Sequence, residues 1–367
     1  MTFISGTIHS HNCTTAELRL FTHQRFASDR VDRHIIPKIR TFNFELIRIL
    51  TTAPFGGCDV AEFLEAAGAI SKARDPGEQW HKAWQAAGER AEAIALEAAG
   101  SGDVFSAQRA HLRAANYFRA SQYMTTPSRS SSSSSSSSSL VDGKRYSLPG
   151  LHYILTEPKR SNAAGKVPVL INTYRADSSQ EEQYFCLPVA GVELGYAMLT
   201  FEGPGQGIEV VVSQVLDFLL TAAGKEERKD LQCLDLNRVT LAGASMGGYF
   251  ALRGATDPRV AACVSIDPFY TGVANSRYLS NFQDRWELDM SRWMFRVHKP
   301  TEMFRRVMQF TLGENNGDKE DREKFLSRIK CPVLVSGAKQ SLYFKPDDTT
   351  HKIYHELANV GPENKVV

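Results

Sequence analysis

The residues best suited to chemistry are Gly243-Ala244-Ser245-Met246-Gly247-Gly248. A serine with glycine two positions before and two after it matches a serine raised on a tight turn between a strand and a helix. The flanking residues must be tiny because strand and helix pass close beside them. Such a turn lifts the Ser245 hydroxyl clear of a sheet. It also aims the first backbone N–H groups of the helix at an incoming carbonyl oxygen. The chemistry is acyl transfer: the hydroxyl attacks a carbonyl carbon, and the Met246 N–H is one donor to the oxyanion that forms. The plainer alternative is a chance Gly-x-Ser-x-Gly in a loop. Context favours the turn. An apolar run at 238–242 precedes it, the helix-compatible Gly248-Tyr249-Phe250-Ala251-Leu252-Arg253 follows, and Val260–Ile266 reads as the next strand.

A serine of this kind works with a base and an acid. The acid candidate is Asp267, in Ser265-Ile266-Asp267-Pro268 at the end of the strand after the turn's helix. Its alternative is a turn aspartate before proline. His351 and His355 stand four apart, on one helix face. That spacing suits metal ligands, but there is no third ligand and no His-Glu-x-x-His, so a solvated face is the better reading. His81 and His111 fall in helical stretches near the N-terminus, where they could reach a cleft. Gly203, Gly205 and Gly207 read as a tight turn after a strand, since a phosphate loop needs Gly-Lys-Ser/Thr. The residues call for no cofactor and no metal.

The elements that must position these residues change character along the chain. From 31 to 50 apolar positions recur at three and four, which predicts a helix. Asp59 reads as the N-cap of a helix over 60–71, with Glu62 completing a capping box. The Ala- and Glu-rich stretch 78–99 and the stretch 104–123 predict two more helices. Residues 1–127 therefore form an all-helical module. Residues 128–139 include ten consecutive serines, Ser130 to Ser139. They read either as a flexible linker or as unassigned residues standing in for chain of unknown identity. In 140–367 strands alternate with helices: strands at 150–155, 167–172, 196–201, 238–242, 260–266 and 331–336, helices at 180–194, 210–222, 251–256 and 346–359, and a last strand opening at Val366-Val367. This alternation predicts an α/β architecture with a doubly wound, mostly parallel sheet. A helical insert at 271–330 lies where a lid over the site would sit.

Composition bounds the partners. Of 367 residues, 42% are hydrophobic and 23% charged, as in ordinary globular chains. The net charge of +2 gives no reason to expect nucleic acid or a membrane surface. No apolar run approaches the ~18–20 residues of a membrane span. The first ten residues lack a basic, then apolar, signal pattern. The six cysteines are scattered without Cys-x-x-Cys, which fits a reduced, cytoplasmic protein. Cys186, Cys263 and Cys331 sit in or beside apolar segments, where free cysteine acts as a small hydrophobe.

Three features in order resemble the α/β-hydrolase fold: Gly-Pro-Gly-Gln-Gly after one strand, Gly-x-Ser-x-Gly-Gly after the next, and Cys-Pro-Val-Leu before the terminal region. Gly57-Cys58-Asp59-Val60, Trp80-His81-Lys82-Ala83-Trp84 and Ala114-Ala115-Asn116-Tyr117-Phe118-Arg119-Ala120-Ser121 narrow the resemblance. They resemble fungal hydrolases of polyketide clusters: the polyketide-shortening enzymes of melanin pathways and those of fusarin, cytochalasan and medium-ring lactone pathways. The bacterial 2,6-dihydroxypseudooxynicotine hydrolase is a more distant member. The resemblance covers most of residues 40–360. It implies serine-dependent acyl chemistry on a polyketide-like ketone, ester or thioester, free or carrier-bound on a synthase, by C–C or ester cleavage, chain release or lactone closure. It implies Ser245 as nucleophile and a second oxyanion N–H from the loop around Thr173, Tyr174 and Arg175. Asp177, Glu181 and Glu182 fall where the family carries a polar loop entering a helix. One of them would face the substrate cavity, or all would be the acids that favour a solvated helix N-terminus. A homodimer, where one forms, would use the helical module.

The chain departs from that pattern in two places. The loop 337–341, where the family carries its triad acid, has no carboxylate, and Gln340 stands there. Glutamine cannot carry the charge that stabilises an imidazolium. The histidine is expected on a loop after the final strand, which puts it past Val367. The family also carries more chain between the glycine-rich turn and the next helix than Gly207-Ile208 allows. Three functions follow: a serine-nucleophile hydrolase, a non-hydrolytic cyclase on the same fold, and a scaffold partner of a polyketide synthase.

Overall fold

The computed structural model describes residues 40–122, 150–153, 162–173, 180–201, 208–223, 231–268, 325–339, 341 and 346–367. The first four helices are α1 (Arg40–Leu50), α2 (Val60–Lys72), α3 (Pro76–Gly100) and α4 (Val104–Ser121). Aspartates set three of their starts. Asp59 Oδ1 accepts from the Ala61 and Glu62 N–H groups, Asp75 Oδ1 from Gly77 and Glu78, and Asp103 Oδ1 from Ser106. The expected capping box at Asp59 does not close. Glu62 accepts instead from the Tyr117 hydroxyl at 2.8 Å and from Arg113 Nε at 3.1 Å. The Asp59 N–H is satisfied by the Tyr117 oxygen at 2.8 Å. A tertiary partner has displaced the local one.

The helices enclose their own core. Trp80, Trp84 and Tyr117 are fully buried beside Phe42, Leu46, Phe63 and Ile70. Their ring centroids lie 5.3 Å apart for Phe42 and Trp80, 5.9 Å for Trp80 and Trp84, and 5.4 Å for Trp84 and Tyr117. The Trp80 indole N–H donates to the Ala120 carbonyl at 2.7 Å, which fixes α3 on the last turn of α4.

The remainder is one sheet with helices on it. Its strands are β1 (Gly150–Tyr153), β2 (Val167–Thr173), β3 (Ala197–Phe201), β4 (Leu234–Ala244), β5 (Val260–Ile266), β6 (Val333–Ser336) and β7 (Lys365–Val366). They lie side by side in the order β1-β3-β2-β4-β5-β6-β7. β1 runs antiparallel to β3, and every other pairing is parallel. This is the doubly wound, mostly parallel sheet expected from the alternation of elements. Helices α5 (Gln180–Cys186) and α6 (Pro188–Glu193) follow β2, and α7 (Ile208–Ala223) follows β3. Next come α8 (Met246–Gly254) after β4 and α9 (Thr350–Glu356) after β6. The single helix expected over 180–194 is two, broken at Leu187 because Pro188 disfavours helix in the residue before it. The helix expected over 346–359 is a 3-10 turn, Pro346–Asp348, and then the short α9. β4 begins four residues earlier than its apolar core suggests, with register shifts where it meets β2 and β5.

Alternate residues of the strands face one core: Val167, Val169 and Ile171 of β2, Val239 and Leu241 of β4, Cys263 of β5, and Val333 and Val335 of β6. They pack on Val212, Leu216 and Leu219 of α7 and on Tyr249 to Leu252 of α8. Of the insert expected at 271–330, the described part is its end. There Phe325, Leu326 and Ile329 enter this same core, with the Phe325 and Tyr249 rings 5.9 Å apart. The linker at 128–139 lies outside the described residues. Cys186 is exposed, against the expectation that it packs as a small hydrophobe, whereas Cys58 and Cys263 are buried. No helix among the described residues is long and apolar enough to cross a membrane.

Candidate active site

Ser245 stands between the last residue of β4 and the first of α8, with φ 57° and ψ −122°. An L-residue adopts positive φ at a cost, on the order of 1–3 kcal/mol, and holds it only where its surroundings impose it. Here the surroundings are the ladder: the Ser245 N–H donates to the Ile266 carbonyl of β5 at 2.9 Å, and the Ser245 carbonyl accepts from Tyr249 at 3.3 Å. Ser245 is half-buried, and its side chain caps nothing. Met246 is the first residue of α8, so its N–H belongs to the first helical turn and points toward the helix N-terminus.

Gly243 is small for a measurable reason. A Cβ there would collide with the Thr173 hydroxyl and with the carbonyl group of Gly247. The second of these is backbone and cannot swing aside. Gly243→Ala is therefore expected to destabilise the fold by about 1–3 kcal/mol, the usual cost of overpacking, read as a lower urea midpoint with an unchanged slope.

Asp267 directly follows β5, with φ 43°. Ser245 and Asp267 are the two non-glycine residues with positive φ among the described residues, and they occupy neighbouring strand ends. The Asp267 N–H donates to the Ser336 carbonyl of β6 at 2.6 Å. Its carboxylate reaches into the loop after β6: the Ser341 hydroxyl donates to Oδ2 at 2.6 Å and the Ala338 N–H to Oδ1 at 3.4 Å. The plain turn aspartate accounts for none of these bonds to a loop more than 70 residues away. Burial pushes the Asp267 carboxyl above the usual carboxylate range, and the bonds from Ser341 and Ala338 act against that shift. A carboxyl raised in the fold weakens the fold as pH rises through its folded pKa. Asp267→Asn removes that penalty, so its melting temperature relative to the parent should be higher at pH 7 than at pH 4.

Several sequence candidates fall elsewhere. Tyr174, Arg175, Asp177 and Gln340 lie outside the described residues, as do Gly203, Gly205 and Gly207. His111, His351 and His355 are exposed, and His351 approaches Asp347 at 3.7 Å. His81 is held by the Ser121 carbonyl at 3.0 Å inside the helical module. Among the described residues no histidine bonds Ser245 or Asp267, and no three His, Cys, Asp or Glu residues stand as a metal-holding group. Glu181 is exposed, but Glu182 meets neither expectation for it. It is 3% exposed, bound by Arg48 Nε at 2.9 Å and by Arg48 Nη2 at 2.6 Å, with Arg119 Nη1 at 3.7 Å. It joins the helical module to the sheet domain.

Three hydroxyls beside the turn were not singled out for their side chains. Ser341 bonds Asp267, as above. Thr173 donates toward the Gly247 carbonyl at 2.7 Å and lies 3.1 Å from that of Ala242, and Ser265 donates to the Gly248 carbonyl at 3.0 Å. The available signal was a lone hydroxyl in each of two mostly apolar strands, β2 and β5.

No family model matches the chain. A hydrolyase of Penicillium oxalicum, poxO, is 39% identical to it over 396 residues, covering 91% of each chain. The alpha/beta hydrolase xenA of Xenoacremonium sinensis is 38% identical, covering 89% of this chain and 88% of the relative. The chain belongs to the α/β-hydrolase family. The hydrolyase ccsE of Aspergillus clavatus is 38% identical, covering 88% of each. The poxO match is longer than the 367 residues of this hydrolase, so the relative carries internal chain without a counterpart here. Among solved structures, the 2,6-dihydroxy-pseudo-oxynicotine hydrolase superposes with a TM-score of 0.53 at 18% identity, covering 78% of this hydrolase and 80% of that chain. That likeness concerns the fold.

Proposed function

We propose that this hydrolase uses Ser245 as a nucleophile on a polyketide-type thioester, ester or ketone in secondary metabolism, acting in the cytoplasm. The observation that carries the reading is the strained Ser245, poised between β4 and α8 with the Met246 N–H beside it. A serine without a reacting role has no use for that conformation. The relatives' names supply the reaction class.

In the proposed step the Ser245 oxygen bonds to the substrate carbonyl carbon and its proton passes to a general base. The Met246 N–H donates to the developing oxyanion. The bond from that carbon to sulfur, oxygen or carbon then breaks, and the leaving group takes the proton. Water, or a hydroxyl of the substrate itself, next attacks the acyl carbon and gives its proton to the base, and the bond to the Ser245 oxygen breaks as the base returns a proton to that oxygen. Water gives hydrolysis or chain release, and the internal hydroxyl gives a lactone. Asp267 is the proposed acid, held by Ser341 at the strand end beside Ser245. Its charge would orient and stabilise the base in its protonated form. The proposed substrate is small and polyketide-like, delivered free or on a carrier of a synthase.

Incubation with an N-acetylcysteamine thioester followed by intact-protein mass spectrometry tests this. The expected result is an added acyl mass that the Ser245→Ala variant lacks. An adduct that persists in the variant would sink the assignment. A second reading, a cyclase on the same fold that forms no acyl-enzyme, draws on Gln340, which stands where the family carries its triad acid. It expects product without adduct.

A further inference from the structure

We infer that the Thr173 hydroxyl is a positioning group that fixes the start of α8, and so the Met246 N–H, against the end of β2. The inference rests on the reading of Ser245 as nucleophile. The parallel ladder between β2 and β4 ends with Thr173 opposite Gly243. Among the described residues no strand pairing joins β2 to the turn beyond that pair. The Thr173 hydroxyl takes over, reaching past Gly243 to the Gly247 carbonyl at 2.7 Å. It can pass because Gly243 has no Cβ, which would occupy the same space. The first glycine of the motif thus does more than permit a sharp turn. It leaves a channel for a hydroxyl from the neighbouring strand.

The opposite side has a matching contact. Ser265 of β5, fully buried, donates to the Gly248 carbonyl at 3.0 Å. Gly247 and Gly248 lie in the first turn of α8, where each carbonyl has a second lone pair beyond the one used in the helix. Two strands therefore hold two successive peptide planes of that turn. Met246 is in the same turn, so the plane that offers its N–H is restrained from rotating.

Stability alone does not explain a threonine here. Thr173 is 2% exposed at the end of Val-Pro-Val-Leu-Ile-Asn-Thr. Valine has the same shape without a hydroxyl to desolvate, and a buried hydroxyl costs free energy unless bonded. What the hydroxyl adds is direction, through the bond to Gly247.

The test uses the full chain and a fluorophosphonate probe. In the labelling reaction the Ser245 oxygen bonds to phosphorus, the P–F bond breaks, and fluoride leaves with the proton. Intact-protein mass spectrometry gives the labelling rate against probe concentration. Thr173→Val is expected to lower the limiting rate about 10–100-fold, the scale of a small misplacement of reacting groups, without changing the concentration for half-saturation. Thr173→Ser, which keeps the hydroxyl, is expected to recover most of that loss. Circular dichroism monitors folding. Should the valine variant not fold, Thr173→Ser against Thr173→Ala isolates the hydroxyl, and serine is expected to label faster. Labelling of Thr173→Val at the parent rate, or serine no better than alanine, overturns the inference alone. A parent chain that resists the probe overturns the nucleophile reading and this inference with it.

Discussion

Ser245→Ala should lower kcat/KM on an activated ester by at least about 10³-fold, the scale seen when the nucleophile of a serine triad is removed, and leave the melting temperature where it was. The two halves of that expectation have separate origins. In the proposed reaction the lost atom is the one that bonds to the acyl carbon, so no acyl-enzyme can form. The fold loses little, because the Ser245 side chain caps no helix and its backbone bonds to Ile266 and Tyr249 survive the change. Alanine bears the same positive φ that serine does, with a Cβ in the same place. Kinetics with thermal melting on the same preparation checks both. Activity retained within a few-fold would move the assignment to the cyclase reading, in which general acid–base groups, and not an acyl-enzyme, carry the reaction.

Glu182→Gln should cost the fold about 3–5 kcal/mol, because it removes one partner of a buried ion pair. Arg48 is 7% exposed at its side chain and Glu182 4%, and they meet through Nε and Nη2. Glu45 holds Arg48 Nη1 at 2.6 Å from the same helix, and Arg119 stands on the other side of Glu182. Two arginines would then face an uncharged amide in place of a carboxylate. These contacts bind α1 and α4 of the helical module to α5 of the sheet domain, so the loss should appear in the unfolding of both. Arg48→Met combined with Glu182→Gln is expected to cost less than the sum of the two single changes, by about 0.5–3 kcal/mol. Urea denaturation followed by circular dichroism reads all three variants. A loss under about 1 kcal/mol for Glu182→Gln, as at exposed pairs, would contradict this account.

The Thr173 result would bear on how tightly such a turn must be held. Asp267→Asn separates two roles for its carboxyl: lost activity with gained stability at neutral pH marks a group kept at the site against its own desolvation.

Much of this was legible from the chain alone, for local reasons. Asp59 starts its helix because its side chain reaches N–H groups two and three residues on. Gly243-Ala244-Ser245-Met246-Gly247 announces its turn because the steric demand falls on immediate neighbours. Alternating strands and helices determined the architecture because apolar period and segment length are properties of the segment itself. Pro188, which splits α5 from α6, acts just as locally, through the residue before it.

Only the tertiary structure decided what those elements touch. Glu62 looked like half of a capping box, yet Tyr117, 55 residues away, draws it off. Glu182 looked like a helix-start acid and proved to be the counter-ion of Arg48, 134 residues distant. Asp267 gained its partners from the loop after β6, and Thr173 its reach to Gly247, because the strand order sets β2, β4, β5 and β6 side by side. A hydroxyl or carboxylate carries no mark of its future neighbour. Its meaning depends on which chain ends the sheet brings within about 3 Å, and that distance is a property of the fold as a whole.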